Sequence, residues 1–400
     1  MPVLSFDLAR VRGLYPTLGS GTAHLDGSFS PLLPESVIRA IIATLRSSPT
    51  QPGSNSPRSR RAAESVLDAR RALGDLVGAK PESVVLGPNA AALVLRFAWL
   101  FSRDWQLGDE VVLSRLDADD VIAPWLRAAR DAGGVVQWAE VDLDTGALPT
   151  WQYERLIGKR TRVVTIPLGN PATGAVPDVR AIADIAHRYG ALVVVDAGSA
   201  IPHLAIDLDE LGADVLLLSA PSFGGPNVAA AVTRPGLLHE LDGEPDRPVP
   251  ERFEVGALPV EVMDGLTAAV DHLADLAQPE TGTRRDRLIT SLSQAGDYER
   301  RLFARLEDGL RALEQVTVLG AGPRRLPMAA FTVGGSTPAQ VGEQLRRRGV
   351  SVWTGRSGSS QVLQAFGADE LGGAVFVGLM PYTAAKEVDQ LLTALADLLG

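Results

Sequence analysis

The sequence predicts an α/β fold: a large domain on a mostly parallel sheet, followed by a smaller α+β domain. Three observations carry this. Short, wholly apolar runs such as 191–195 and 215–218 read as strands buried on both faces. Amphipathic stretches with helical spacing alternate with them. From about Arg284 the alternation gives way to one long helical pattern, short strands and a last helix.

Taken in order, residues 34–47 read as a helix, with Val37, Ile38, Ile41, Ile42 and Leu45 on one face. Residues 48–60, rich in Ser, Pro, Gly and Arg, read as an exposed loop. An amphipathic helix follows over 61–77 and a short strand over 83–86, closed by Gly87. Strands then fall at 109–113, 134–141, 162–167, 191–196 and 215–219, with helices at 123–132 and 179–189. The final helix covers 384–399. The domain boundaries implied are an N-terminal segment 1–33, a large domain 34–270 and a small domain 284–400.

The totals bound the function. At 400 residues, 46% hydrophobic and 22% charged, the chain has the composition of an ordinary globular protein. Its apolar runs are far too short to cross a bilayer. Asp7, Arg10 and Arg12 interrupt what would be a leader sequence, so the expected location is the cytoplasm. A formal charge of −10 argues against nucleic acid as a partner. With no cysteine, thiolate metal sites and cysteine nucleophiles are excluded. Lysine occurs only at Lys80, Lys159 and Lys386.

Functional residues of such sheets gather at the carboxyl ends of the strands. The segments there are 87–91, 116–120, 168–170 and 196–199, together with 219–226, Ser-Ala-Pro-Ser-Phe-Gly-Gly-Pro. Asp117, Asp119 and Asp120 have no histidine or spaced glutamate beside them and read as polar loop, with no metal site expected. Ser222 as a nucleophile would need a base; His203, the nearest histidine in sequence, shows no evident pairing. Arg58, Arg60 and Arg61 read as a solvated helix start, or else as an anion patch. His24 and His272 read as structural.

Several segments in the right order carry a resemblance. They are YPTLGSGTAHLDGSFSPLLPESV, LGDEVVLSRLDADDVIAPWLRAARDAGG and LVVVDAGSAIPHLAIDLDELGADVLLLS, followed by ERFEVGALP, VWTGRSG and GGAVFVGLMPYTAAKEVDQLL. The chain resembles the class V aminotransferases, and within them the cysteine-desulfurase-like branch of the pyridoxal-phosphate (PLP) fold-type-I enzymes. The resemblance implies the PLP-transferase fold, a homodimer with the site at the subunit interface, and a cofactor held through a lysine imine.

The positions that carry this chemistry differ here. The resemblance puts Ser222 at the imine lysine, Ala118 at the stacking histidine and Ala91 at the phosphate-binding threonine. Ala257 falls at the threonine that reaches the partner's phosphate, and Phe376 at the carboxylate-binding arginine. Asp196, Asn170 and Ser219 keep matching residue types; with Ser199, Ser222 and Arg356 they form the expected residual pocket. A hydroxyl cannot form an imine, and an unpaired phosphate dianion costs several kcal/mol to bury. The expectation is a family member without PLP chemistry: a pseudoenzyme that binds a small molecule or a protein partner. Two alternatives stay open at this level, PLP-independent chemistry using Asp196 and a PLP enzyme with a relocated lysine.

Overall fold

The structure, a computed structural model, describes residues 6–241, 247–278 and 281–400. The first five residues of the expected N-terminal segment therefore lie outside it.

After a short helical turn at Leu8–Gly13, two longer helices precede the large sheet, α1 (Glu35–Arg46) and α2 (Pro57–Val77). α2 begins inside the stretch expected to be loop. Ser56 caps it, and Pro57 sits at the first helical position, where its missing N–H costs nothing. The sheet strands are β1 (Val84–Gly87), β2 (Glu110–Ser114), β3 (Val135–Ala139), β4 (Thr161–Pro167), β5 (Leu192–Asp196), β6 (Val215–Ser219) and β7 (Ala229–Thr233). Helices α3 (Ala90–Ser102), α4 (Asp119–Ala132), α5 (Val179–Arg188) and α6 (Val260–Ala274) accompany them. α4 starts four residues before the expected 123, because Asp119 and Asp120 suit the positive end of a helix dipole.

The strand order is β1-β7-β6-β5-β4-β2-β3. From β6 to β3 every pair is parallel, whereas β7 runs antiparallel between β6 and β1. The segment after Ser219 is not a strand-to-helix connection of the usual α/β kind: it is one 3₁₀ turn, Ala220–Phe223, leading into β7. Gly224, in the left-handed region at φ 75°, reverses the chain, and the run from Ala229 pairs with strands on both sides.

Alternation along the strands divides the core. Val163, Val194 and Leu217 face α3 and α4, while Val164, Val193 and Leu216 pack on the other side. A second sheet, all antiparallel, follows helix α7 (Arg284–Arg311). Its strands are β8 (Val316–Val318), β9 (Met328–Val333), β10 (Trp353–Gly355) and β11 (Ala374–Gly378), in the order β10-β11-β9-β8. Helices α8 (Pro338–Arg347) and α9 (Ala385–Leu399) pack against it. Ala23–His24, near the start of the chain, pairs in parallel with Val350–Ser351. No helix among the described residues is long and apolar enough to cross a membrane.

Candidate functional site

Asp196 ends β5, opposite Pro167 of β4 and Leu217 of β6, so it stands at the carboxyl edge of the parallel strands. Its carboxylate accepts the Gly198 N–H at 2.9 Å. Burial raises its pKa.

Asp117 is the second carboxylate of this edge, and it corrects the reading of 117–120 as polar loop. It is 1% exposed, and its Oδ2 accepts the Ser114 N–H at 2.8 Å and the Thr165 hydroxyl at 2.6 Å. Its Oδ1 has no hydrogen-bond partner. Desolvation pushes its pKa up to about 6, and the Asp196 charge adds to the rise. Thr165 and Val194 are partners across β4 and β5, so Asp117 reaches the sheet face from which Asp196 projects. Asp119 instead accepts the Ser360 hydroxyl at 2.7 Å and donates its N–H to Gly358, joining the start of α4 to the loop after β10. Asp120 is exposed. The three aspartates do not converge, and among the described residues no three acidic, histidine or cysteine side chains are placed to hold a metal.

The other expected residues serve the loops. Asn170 donates to the Leu116 carbonyl at 2.8 Å and accepts the N–H groups of Ala172 and Thr173. The Ser222 hydroxyl donates to the Ser219 carbonyl at 2.7 Å, so it is a turn residue with no base beside it. Ser199 is half-buried near Gly169, whose α-carbon is covered by the Leu326 side chain. Arg356 is exposed and engaged in an ion pair with Asp369. His203 has a partner after all: its Nδ1 lies 3.0 Å from Glu299 Oε2 in the interior. His272 is buried against the Tyr15 hydroxyl at 2.7 Å, and desolvation lowers its pKa to about 4. His24 is partly buried, with an Nε2 that lacks a partner.

Whether PLP fits can be judged from these contacts. Lys80 and Lys159 lie just before β1 and β4, at the amino edge of the sheet, and Lys386 is on α9. No lysine borders the carboxyl edge. The α3 N-terminus, where a phosphate would dock, is capped by its own Asn89, which accepts the Ala92 N–H at 2.8 Å. Ala91 and Ala118 offer neither hydroxyl nor ring, and Ala257 is exposed. Phe376 is fully buried with its edge on Phe29 at 5.2 Å, and Phe29 stacks on Trp353 at 5.4 Å. An aromatic cluster therefore stands where a carboxylate-binding cation was expected. Only Asp196 suits the cofactor; the remaining residues do not fit it.

Sequence reasoning missed Asp117, Leu326 and the Asn89 cap. A signal existed for two of them. Asp three residues past a strand end and Asn before a helical run both favour local hydrogen bonds to backbone. Nothing local marked Leu326, which arrives from 157 residues beyond Gly169.

The sequence pattern of the family "Aminotransferase class-V" matches residues 23–391. The chain is 39% identical to an uncharacterized protein, MT3887, of Mycobacterium tuberculosis, over 99% of this chain and 100% of that protein. It is 26% identical to a "Probable cysteine desulfurase" of Mycolicibacterium paratuberculosis over 84% of this chain, which spans about half of that relative (49%). The crystal structure of the cysteine desulfurase CsdA from Escherichia coli superposes with a TM-score of 0.85 at 22% identity, covering 99% of this chain and 100% of that one.

Proposed function

The chain belongs to the class-V aminotransferase family, and we propose that it is a member that works without imine chemistry, as a ligand- or partner-binding protein on the inherited scaffold. The observation that carries this is the placement of its lysines. All three lie away from the carboxyl edge, and the residue at the imine position, Ser222, is a hydroxyl bonded to its own turn. The test is incubation of the purified protein with excess PLP, with absorbance and, after borohydride, mass as readouts. A reduced adduct on any lysine overturns the proposal.

In the same reading the protein is a cytoplasmic homodimer. Support for the dimer, not for the location, comes from an open apolar groove of about 580 Å³ between α3 and α4. Leu95, Trp99 and Val255 line it, 47%, 51% and 71% exposed. Apolar patches of this kind mark association surfaces.

The Asp117–Asp196 pair favours a second reading, in which the cleft keeps acid–base chemistry of its own. Burial raises both carboxylates, Asp117 to about 6, a value that suits proton transfer by that group near neutral pH. Screening wild type and Asp196→Asn for hydrolase and lyase activity separates the two. An activity lost in the variant supports this second reading.

A further inference from the structure

Helix α7 spans both halves of the molecule. Leu288, Leu292 and Ala295 of its first half belong to the core of the large sheet, and Leu302, Phe303, Leu306 and Leu310 of its second half to the core of the small one. Glu299 lies on the seam between them, fully buried. Its Oε2 meets His203 Nδ1 at 3.0 Å, with the His203 and Glu299 side chains 2% and 1% exposed. Its Oε1 has no hydrogen-bond partner among the described residues.

His203 belongs to the turns that follow β5, the strand that ends in Asp196, and its N–H donates to the Ala200 carbonyl at 3.0 Å. The His203 carbonyl rests on Gly296, where a Cβ would come within 2.9 Å of it, so only glycine lets α7 approach this closely. The other groups around Glu299 are engaged. Arg300 pairs with Asp297 on α7 itself, and Tyr298 donates to the Thr383 carbonyl. Tyr15 is bonded to His272 of α6, whose pKa burial lowers to about 4, leaving it neutral above pH 5. Tyr382 accepts the Leu32 N–H, and Arg12 pairs with Glu387 of α9 at 2.7 Å.

One proton held by the pair makes it neutral, whether that proton sits on the imidazole or on the carboxyl. Losing it to water leaves an uncompensated carboxylate in the interior, with one oxygen already short of a donor. A second proton leaves a lone buried imidazolium instead. Burial raises the Glu299 pKa and His203 opposes the rise, in keeping with a carboxylate that depends on this partner.

We propose that the His203–Glu299 pair is a proton-dependent latch: holding one proton, it fastens the turns after Asp196 to α7 at the seam of the two cores, and losing that proton releases them. A detached pair keeps a single proton only between about pH 4.3 and 6.5, the ordinary carboxyl and imidazole values. Above that window the detached form has lost the proton that the latched form keeps. Release therefore becomes easier as pH rises, by up to about tenfold per unit. Below the window the detached form binds two protons against one, and release becomes easier again. The latch is tightest in between, and it holds whatever the cleft binds.

Hydrogen exchange of the full chain, read by mass spectrometry from pH 4.5 to 8.5 with each rate divided by its intrinsic value, tests this. Protection of peptides covering 197–204 and 293–303 should fall about tenfold or more between pH 6 and 8, while peptides from β2 and β4 keep theirs. Glu299→Gln keeps an acceptor for His203 but has no proton to lose, so its protection there should stay flat above pH 6.5. His203→Gln leaves a lone buried carboxyl, and the fall should move below pH 6. Flat protection in the wild type, a Glu299→Gln slope equal to that of the wild type, or a fall shared equally by β2 and β4 overturns the proposal. A His203→Gln profile that coincides with the wild type's does the same.

Discussion

The Ser222 hydroxyl donates to the Ser219 carbonyl at 2.7 Å, closing the 3₁₀ turn between β6 and β7. Where the family resemblance calls for a lysine amine, this chain has a short side chain spent on its own backbone. The loop keeps its shape through Gly224 in the left-handed region and through Gly225, where a Cβ would press on Ala220.

Asp117 gives a pH-dependent prediction. Its pKa is raised, so between about pH 4 and 6 the folded chain binds more protons than the unfolded chain at this position. Its charge therefore lowers stability increasingly as pH rises toward 6, and the cost is complete above that. Asp117→Asn keeps the acceptor for Ser114 and Thr165 and removes the charge. Thermal melts should show the variant more stable by about 1–3 kcal/mol at pH 8, with the gain shrinking at pH 5.

Arg70 and Glu254 form a two-pronged buried ion pair at 2.9 and 3.1 Å, and Glu254 also accepts the Leu86 N–H. This ties α2 and β1 to the segment leading to Ala257. Removing one partner strands the other charge in the interior. Arg70→Ala should cost about 3–5 kcal/mol in denaturant titrations.

Phe376, filling the expected carboxylate site, should behave as core. Phe376→Ala should cost about 3–5 kcal/mol, since it empties a fully buried position and removes the Phe29 contact.

Trp99 projects into the apolar groove with the Arg96 and Arg103 guanidiniums over its ring at 5.0 and 5.4 Å. If a second copy covers this groove, Trp99→Asp should halve the mass measured by light scattering, with the melting curve little changed. An unchanged mass would place the contact elsewhere.

The architecture was legible because buried parallel strands write themselves as apolar runs, and 215–219 coincides with β6. Helix starts were read late: α2 at Pro57 and α4 at Asp119 begin with polar caps that belong to the helix but look like loop. Within the site, the positions of Asp196 at the end of β5 and of Ser222 just past β6 were legible because each follows an apolar run. The burial of Asp117 was not, since the Thr165 hydroxyl it accepts comes from a strand 48 residues away. The His203–Glu299 pair was hidden in the same way, with partners 96 residues apart. Local residue type announces a backbone role; only the fold announces which distant group completes it.

The most direct test of the central claim is a visible absorbance spectrum taken with and without excess PLP, followed by borohydride reduction and intact-mass analysis. The account predicts no protein-linked band and an unchanged mass. A band with a reduced adduct on Lys80, Lys159 or Lys386 would contradict it and return the chain to the imine-forming members of its family.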